Sequence, residues 1–182
     1  MNGYRNMIAT TLQNGKGKIT VIGQEYGHIG CEFVYVGINE ACTSCGIYKV
    51  CHNLVLGRRY KVISTRDLVH ECAVHEGKAQ TVEVVPALIP ARIVLPQNIT
   101  SARNTSFVYQ PPCNKRCEYF FECHAPGLLK GQRYIIREIG IQGESTDDGK
   151  EETVPCPIGE PRTLVILELL PDELPRFVPR HE

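Results

Sequence analysis

Eight of the nine cysteines in this chain of 182 residues fall into two sets of four, each a close trio with one remote partner, and that arrangement limits the possible folds more than any other feature. The first set is Cys42, Cys45 and Cys51 with a remote Cys72; the second is Cys113, Cys117 and Cys123 with a remote Cys156. In both sets a histidine, His52 or His124, follows the third cysteine directly, and a Gly-x-Arg-Tyr stretch, at 57–60 or 131–134, comes next. The echo extends outward. Phe33-Val-Tyr and Phe107-Val-Tyr precede the clusters, while Thr81-Val-Glu-Val-Val and Thr163-Leu-Val-Ile-Leu follow them. Self-similarity at a fixed offset, here roughly 70 to 80 residues, marks a repeated structural unit. The chain therefore reads as two related halves, each built around a metal centre.

The stretches around the cysteines predict an α+β, β-rich protein, with strands forming the core and a cysteine loop or short helix holding each metal. Residues 18–22 and 31–36 read as a hairpin or a pair of neighbouring strands. Further strands are predicted at 59–65, 80–85, 106–109, 132–141 and 162–170. Residues 68–77 read as a loop holding Cys72, and Pro86, Pro90 and Pro96 as punctuation in an extended connector. Residues 143–152 read as a charged insertion at an exposed hairpin tip, which lengthens the second half. The resulting division is a loose leader at 1–17, a first half at 18–96, a second half at 97–170 and an irregular tail at 171–182. A chain of this size buries about 70% of its unfolded surface, enough for one domain or two small ones.

Compartment decides how the cysteines are used. No apolar run approaches the length of a membrane span, and residues 1–18 lack a signal peptide's apolar centre, so the expectation is a cytoplasmic protein. In a reducing compartment, cysteines signal metal or redox chemistry before disulfides, and an odd count agrees. The acceptor patterns at Asn98 and Asn104 are then ordinary loop residues. Four thiolates suit tetrahedral zinc or an iron–sulfur cluster. A trio with one distant partner, rather than two short knuckles, favours a cubane wrapped on three corners by one loop. Two [4Fe–4S] clusters are expected, one on Cys42, Cys45, Cys51 and Cys72, the other on Cys113, Cys117, Cys123 and Cys156, with two Zn2+ ions as the alternative.

Residues inside each trio, among them Ile47, Val50, Phe120 and Phe121, surround the sulfurs with apolar bulk. His52, His124, Tyr48 and Tyr119 are candidates to sit around the thiolates as hydrogen-bond donors or proton carriers; the plainer reading of the histidines is a repeated turn cap. His70 and His75 flank Cys72 and could replace it on zinc, but they have no counterparts beside Cys156. Cys31 stands outside the repeat and reads as a structural thiol.

Lysine plus arginine balance aspartate plus glutamate at 20 each, which argues against an indiscriminate nucleic-acid binder. A local basic face on Arg58, Arg59, Lys61, Arg66, Arg133 and Arg137, with Lys115, Arg116 and nearby tyrosines, could still contact phosphates and stack on bases; alternatively, it protects strand edges. No Ser–His–Asp set, phosphate loop or dinucleotide glycine pattern is present, so the sequence points away from an enzyme. The expected function is electron relay or a redox-sensitive accessory role beside protein partners in a larger complex. A nucleic-acid or ribosome-associated module with structural metals is the alternative.

Two resemblances accompany this reading. Each trio, with an aromatic between its second and third cysteines, resembles the cluster loop that ends iron–sulfur exonucleases and the auxiliary-cluster loops of radical enzymes. The nuclease carboxylate–lysine core and the radical Cys-x3-Cys-x2-Cys motif are absent, so neither activity transfers. The Ile-Thr-Val-Ile-Gly strand at 19–23, Cys31-Glu-Phe-Val-Tyr, the first trio, residues 57–62 and His70-Glu-Cys72-Ala-Val-His75 together resemble an archaeal family of uncharacterised proteins over most of residues 18–170. That resemblance implies an archaeal cytoplasmic setting and no established activity.

Overall fold

The computed structural model describes residues 17–95, 106–108, 113, 116–139 and 153–170. The chain divides into two compact units, Met1–Ala87 and Leu88–Glu182, and each holds one antiparallel sheet. The protein is β-rich, and the α-helices among the described residues are two of four residues each.

In the first unit the elements run β1 (Lys18–Gly23), β2 (Glu32–Val34), α1 (Tyr48–Cys51), β3 (Arg59–Cys72) and β4 (Gly77–Pro86), with single 3-10 turns at Gln24–Tyr26 and Glu40–Cys42. The strand order is β1-β4-β3-β2. β3 alternates as a half-buried strand should: Tyr60 and Val62 face inward, while Arg59 and Lys61 are only partly covered. Val82 and Val84 of β4, Ile22 of β1 and Leu54 complete the core, with Cys31, Phe33 and Tyr35 packed against it. Phe33 stacks on Tyr60 with ring centroids 6.1 Å apart, and its Cα register partner is the same tyrosine.

The second unit runs β5 (Ile89–Ile93), β6 (Ser106–Val108), α2 (Phe120–Cys123), β7 (Arg133–Ile139), β8 (Thr153–Val154) and β9 (Arg162–Leu169). Its order is β5-β9-β7-β6, with β8 also paired to β9. β9 alternates along its length and sends Val165, Leu167 and Leu169 into a core with Ile89, Ala91, Ile93, Ala125, Tyr134 and Ile136. Phe107 is in register with Tyr134.

Three local readings are corrected. The segment at 31–36 does not pair with β1, because the two long strands β3 and β4 take the centre of the sheet and leave β1 and β2 on opposite edges. Residues 68–72 are strand rather than loop. β3 continues past register shifts at Val62/Ser64 and Thr65/Val69, so that Cys72 ends opposite Gly77. The supposed connector contains β5, which among the described residues is an edge strand bonded to β9 alone, where an exposed Pro90 is tolerated because no second described neighbour requires its missing N–H. The leader, the tail, the charged insertion, Lys115 and the patterns at Asn98 and Asn104 lie outside the described residues. Among the described residues, no helix is long and apolar enough to cross a membrane.

Candidate metal centres

The first trio is presented by successive tight turns. Asn39 Oδ1 accepts from Ala41 N at 3.0 Å and starts the turn that carries Cys42. Cys45 N donates to Cys42 O, Tyr48 N to Cys45 O, and Cys51 N to Ile47 O, so the chain coils from the first cysteine to the third. The Cys51 thiol, on α1, donates to Val21 O at 3.6 Å and anchors the loop on β1. Burial, then the neighbouring thiols of Cys72, Cys45 and Cys42, push the Cys51 thiol up to about 11. Cys42, Cys51, Cys72, His52 and His75 line a cavity of about 410 Å³.

His52 is fixed from two sides. Its Nδ1 lies 2.7 Å from the Tyr35 hydroxyl, and the Tyr48 ring sits 4.9 Å away, centroid to centroid. Burial holds the imidazole below its ordinary range. Burial, followed by the charge of Tyr48 and the thiols of Cys51 and Cys42, keeps the Tyr35 phenol neutral up to about 12. Either atom can supply the proton of this bond; when the phenol donates to Nδ1 the ring proton sits on Nε2, a nitrogen buried without a hydrogen-bond partner.

The second trio coils in the same way: Phe120 N donates to Cys117 O, and Cys123 N to Tyr119 O. Cys123 is almost fully buried at 1% exposure. Burial raises its thiol first, the Arg162 guanidinium opposes that, and Cys113, Cys117 and Cys156 raise it further. Cys113, Cys117 and Cys156 line a smaller cavity of about 170 Å³ with Arg116. The His124 ring stacks on Phe120 at 4.3 Å, burial holds it below its ordinary range with Arg162 adding to that, and its Nε2 is also buried without a hydrogen-bond partner. Cys156 is held below the usual thiol range, chiefly by a hydrogen bond from the Arg162 side chain and then by one from the Ile158 backbone.

In each unit three of the four predicted ligands line one cavity, and all nine thiols are free of disulfides. Among the described residues, no three His, Cys, Asp or Glu side chains converge closely enough, as they stand, to hold a metal ion. His70 turns away to Thr81 Oγ1 at 3.0 Å. Tyr48 sits beside His52, but Tyr119 lies under Arg92, whose guanidinium is 5.3 Å from the ring centroid and pairs with Glu122. The predicted basic face is largely engaged: Arg58 is buried over Tyr60, Arg59 and Lys61 share Glu32, and Arg137 pairs with Glu168. Sequence reasoning missed Tyr35, Arg92 and Arg162. Tyr35 carried a signal in the repeated Phe-Val-Tyr, whereas the two arginines lie outside every repeated motif.

A family model for an uncharacterised protein family, UPF0179, matches residues 18–160. A UPF0179 protein of Methanospirillum hungatei is 38% identical over 168 residues, covering 92% of this chain and 100% of the relative. One from Methanocaldococcus jannaschii is 35% identical over 156 residues, covering 84% and 95%. Another, from Methanocorpusculum labreanum, is 42% identical over 124 residues, covering 66% and 80%. No solved structure matches the chain. The archaeal resemblance of residues 18–170 thereby has its identity: the chain belongs to the UPF0179 family.

Proposed function

We propose that each unit is one copy of a duplicated four-thiolate module, and that the protein carries two [4Fe–4S] clusters for electron relay or for a redox-sensitive accessory role in a larger complex. One observation carries this reading: in each unit three of the four predicted ligands, Cys42, Cys51 and Cys72 or Cys113, Cys117 and Cys156, line a single cavity. The thiols are soft donors suited to iron–sulfur clusters and zinc.

Matched details support a duplication. Corresponding strands lie in the same order, and the register shift after Val62 has its counterpart after Ile136. The Tyr60 hydroxyl accepts from Val55 N as the Tyr134 hydroxyl does from Leu129 N. β7 and β8 each pair with β9, along which they lie as β3 alone lies along β4, with the insertion between them in sequence.

The Nε2 atoms of His52 and His124 are buried without a hydrogen-bond partner, and in the Nε2–H tautomer each suits an anionic sulfur, because a buried donor left unpaired costs about 1–3 kcal/mol. Such a donor beside a metal-bound thiolate or sulfide would steady it and tune its basicity. A bound [4Fe–4S] cluster supplies one-electron transfer; the protein's part is to supply thiolates, N–H donors and an apolar wall. The engagement of Arg59, Lys61 and Arg137 with carboxylates favours this reading over phosphate binding.

The experiment is metal and sulfide analysis with a visible spectrum on protein purified without oxygen. A broad band near ~400 nm with about eight irons per chain is the expected result. About two zincs and no colour would make the same eight thiolates structural sites. Absence of both metals from freshly purified protein would overturn the reading.

A further inference from the structure

Three of the four ligands predicted for the first centre line its cavity, and so does an imidazole outside the repeat. Cys42, Cys51 and Cys72 share that wall with His75, whereas Cys45 is exposed and does not reach it. The β3–β4 turn brings His75 there. Cys72 ends β3 opposite Gly77, so residues 73–76 reverse the chain at once and hold His75 on the same wall as the sulfur three residues earlier. The ring is seated against Gly23, the last residue of β1: a methyl group built there would lie 2.9 Å from His75 Nδ1. The backbone at Gly23, with φ −52° and ψ 136°, is open to any residue, so glycine serves here for the space it leaves. The other imidazole on the wall, His52, is already held by the Tyr35 hydroxyl. In the second unit the residue three past Cys156 is Gly159, and the cavity is about 170 Å³ against about 410 Å³.

We propose that the first centre is held by Cys42, Cys51, Cys72 and His75, with Cys45 outside the coordination shell. This rests on the metal reading above and changes one ligand in it. A neutral imidazole binds metal through a ring-nitrogen lone pair and serves both zinc and iron–sulfur centres. Ligands separated by two residues at a hairpin tip also have the knuckle spacing of zinc sites. On loading, each of the three thiols gives its proton to solvent as its sulfur–metal bond forms, and the neutral ring binds without losing one. Three thiolates leave a zinc ion or a [4Fe–4S]2+ core with a net charge of about −1, against about −2 for a four-thiolate site. Among the described residues no three ligating groups converge as they stand, so loading draws the 73–76 turn onto the trio. His75 also borders an outer cavity with Glu25, Glu76 and Lys78, and the two carboxylates there compete for the ring.

The test uses the full chain with Cys113→Ser and Cys117→Ser, which leaves the first centre alone. Zinc affinity is measured by competition with a chromogenic chelator. His75→Ala should lower it by at least about tenfold more than Cys45→Ser does. His75→Cys should restore much of the loss, and Gly23→Ala, which displaces the ring and spares the backbone, should reproduce part of it. Circular dichroism confirms that each variant is folded. In the cluster-loaded protein, reduced with dithionite and labelled with 15N-histidine, pulsed electron paramagnetic resonance should show a directly bonded nitrogen. That coupling should vanish in His75→Ala and persist in His52→Gln. A Cys45→Ser loss equal to or larger than that of His75→Ala overturns the proposal. So does a cluster without nitrogen coupling, or coupling that survives in folded His75→Ala. Failure of the first-centre protein to take up zinc or iron at all would sink the metal reading itself, a result distinct from a loaded centre with four sulfur ligands.

Discussion

Tyr60 and Tyr134 show how much one side chain can fix. Each is buried in its unit's core, and each hydroxyl reaches back to a backbone N–H five residues earlier, ordering the segment between helix and strand. Tyr60→Phe or Tyr134→Phe leaves that donor unpaired and should cost about 1–3 kcal/mol, read as a lowered urea midpoint. Cys51 provides the pH prediction. In the metal-free fold its thiol keeps its proton up to about 11, against 9.0 ordinarily. The native state then binds more protons than the unfolded chain, so this contribution to stability is full below 9.0 and is lost as pH rises through about 11. Metal-free Cys51→Ser should show a shallower loss of urea midpoint across that window than the parent; parallel curves would refute the assignment. The cysteines of each set were visible in the sequence as a close trio with one remote partner. The Arg162–Cys156 and Arg92–Glu122 contacts were not, because each joins residues that only the folded hairpin or sheet brings together.

At the level of elements, the short helical turn expected in the cysteine loops is present at the end of each trio, as α1 and α2. Each turn leads to a glycine with positive φ, Gly57 at 77° and Gly131 at 78°, just before the central strand. Any other L-residue there is strained, so Gly57→Ala and Gly131→Ala should each destabilise by about 1 kcal/mol, measured by urea unfolding. Strand pairing was harder to read. The 18–22 and 31–36 stretches are neighbours in sequence, and nothing local reveals that longer strands will come between them. β5 was hidden by Pro90, which normally argues against a strand and is accommodated here only because the strand lies at an edge. Arg59 and Lys61 looked like a free basic face because Glu32, which balances them, is almost thirty residues away and becomes adjacent only through β2–β3 pairing.

At the scale of the whole molecule, each unit has its own core, Tyr60 with Val62, Val82 and Val84 in one and Tyr134 with Ile136, Val165 and Leu167 in the other. A unit with its own core can fold alone. A fragment of residues 1–87 should therefore unfold cooperatively in urea and bind about half the metal of the full chain; a fragment without a cooperative transition would show that the first sheet depends on the second. The β3–β4 hairpin carries a further consequence. It is long, its outer half is interrupted at Thr65/Val69, Leu68 is exposed, and its last residue is a predicted ligand, Cys72. Such an arm opens by local fluctuations well below the energy of global unfolding. Coordination at its tip would rivet the arm to the α1 loop, so amide hydrogen exchange along 66–72 should be rapid in the metal-free protein and slow sharply on loading. Occupancy of the first centre would then be recorded in the breathing of a hairpin, a mechanical signal that a partner touching only that arm could read.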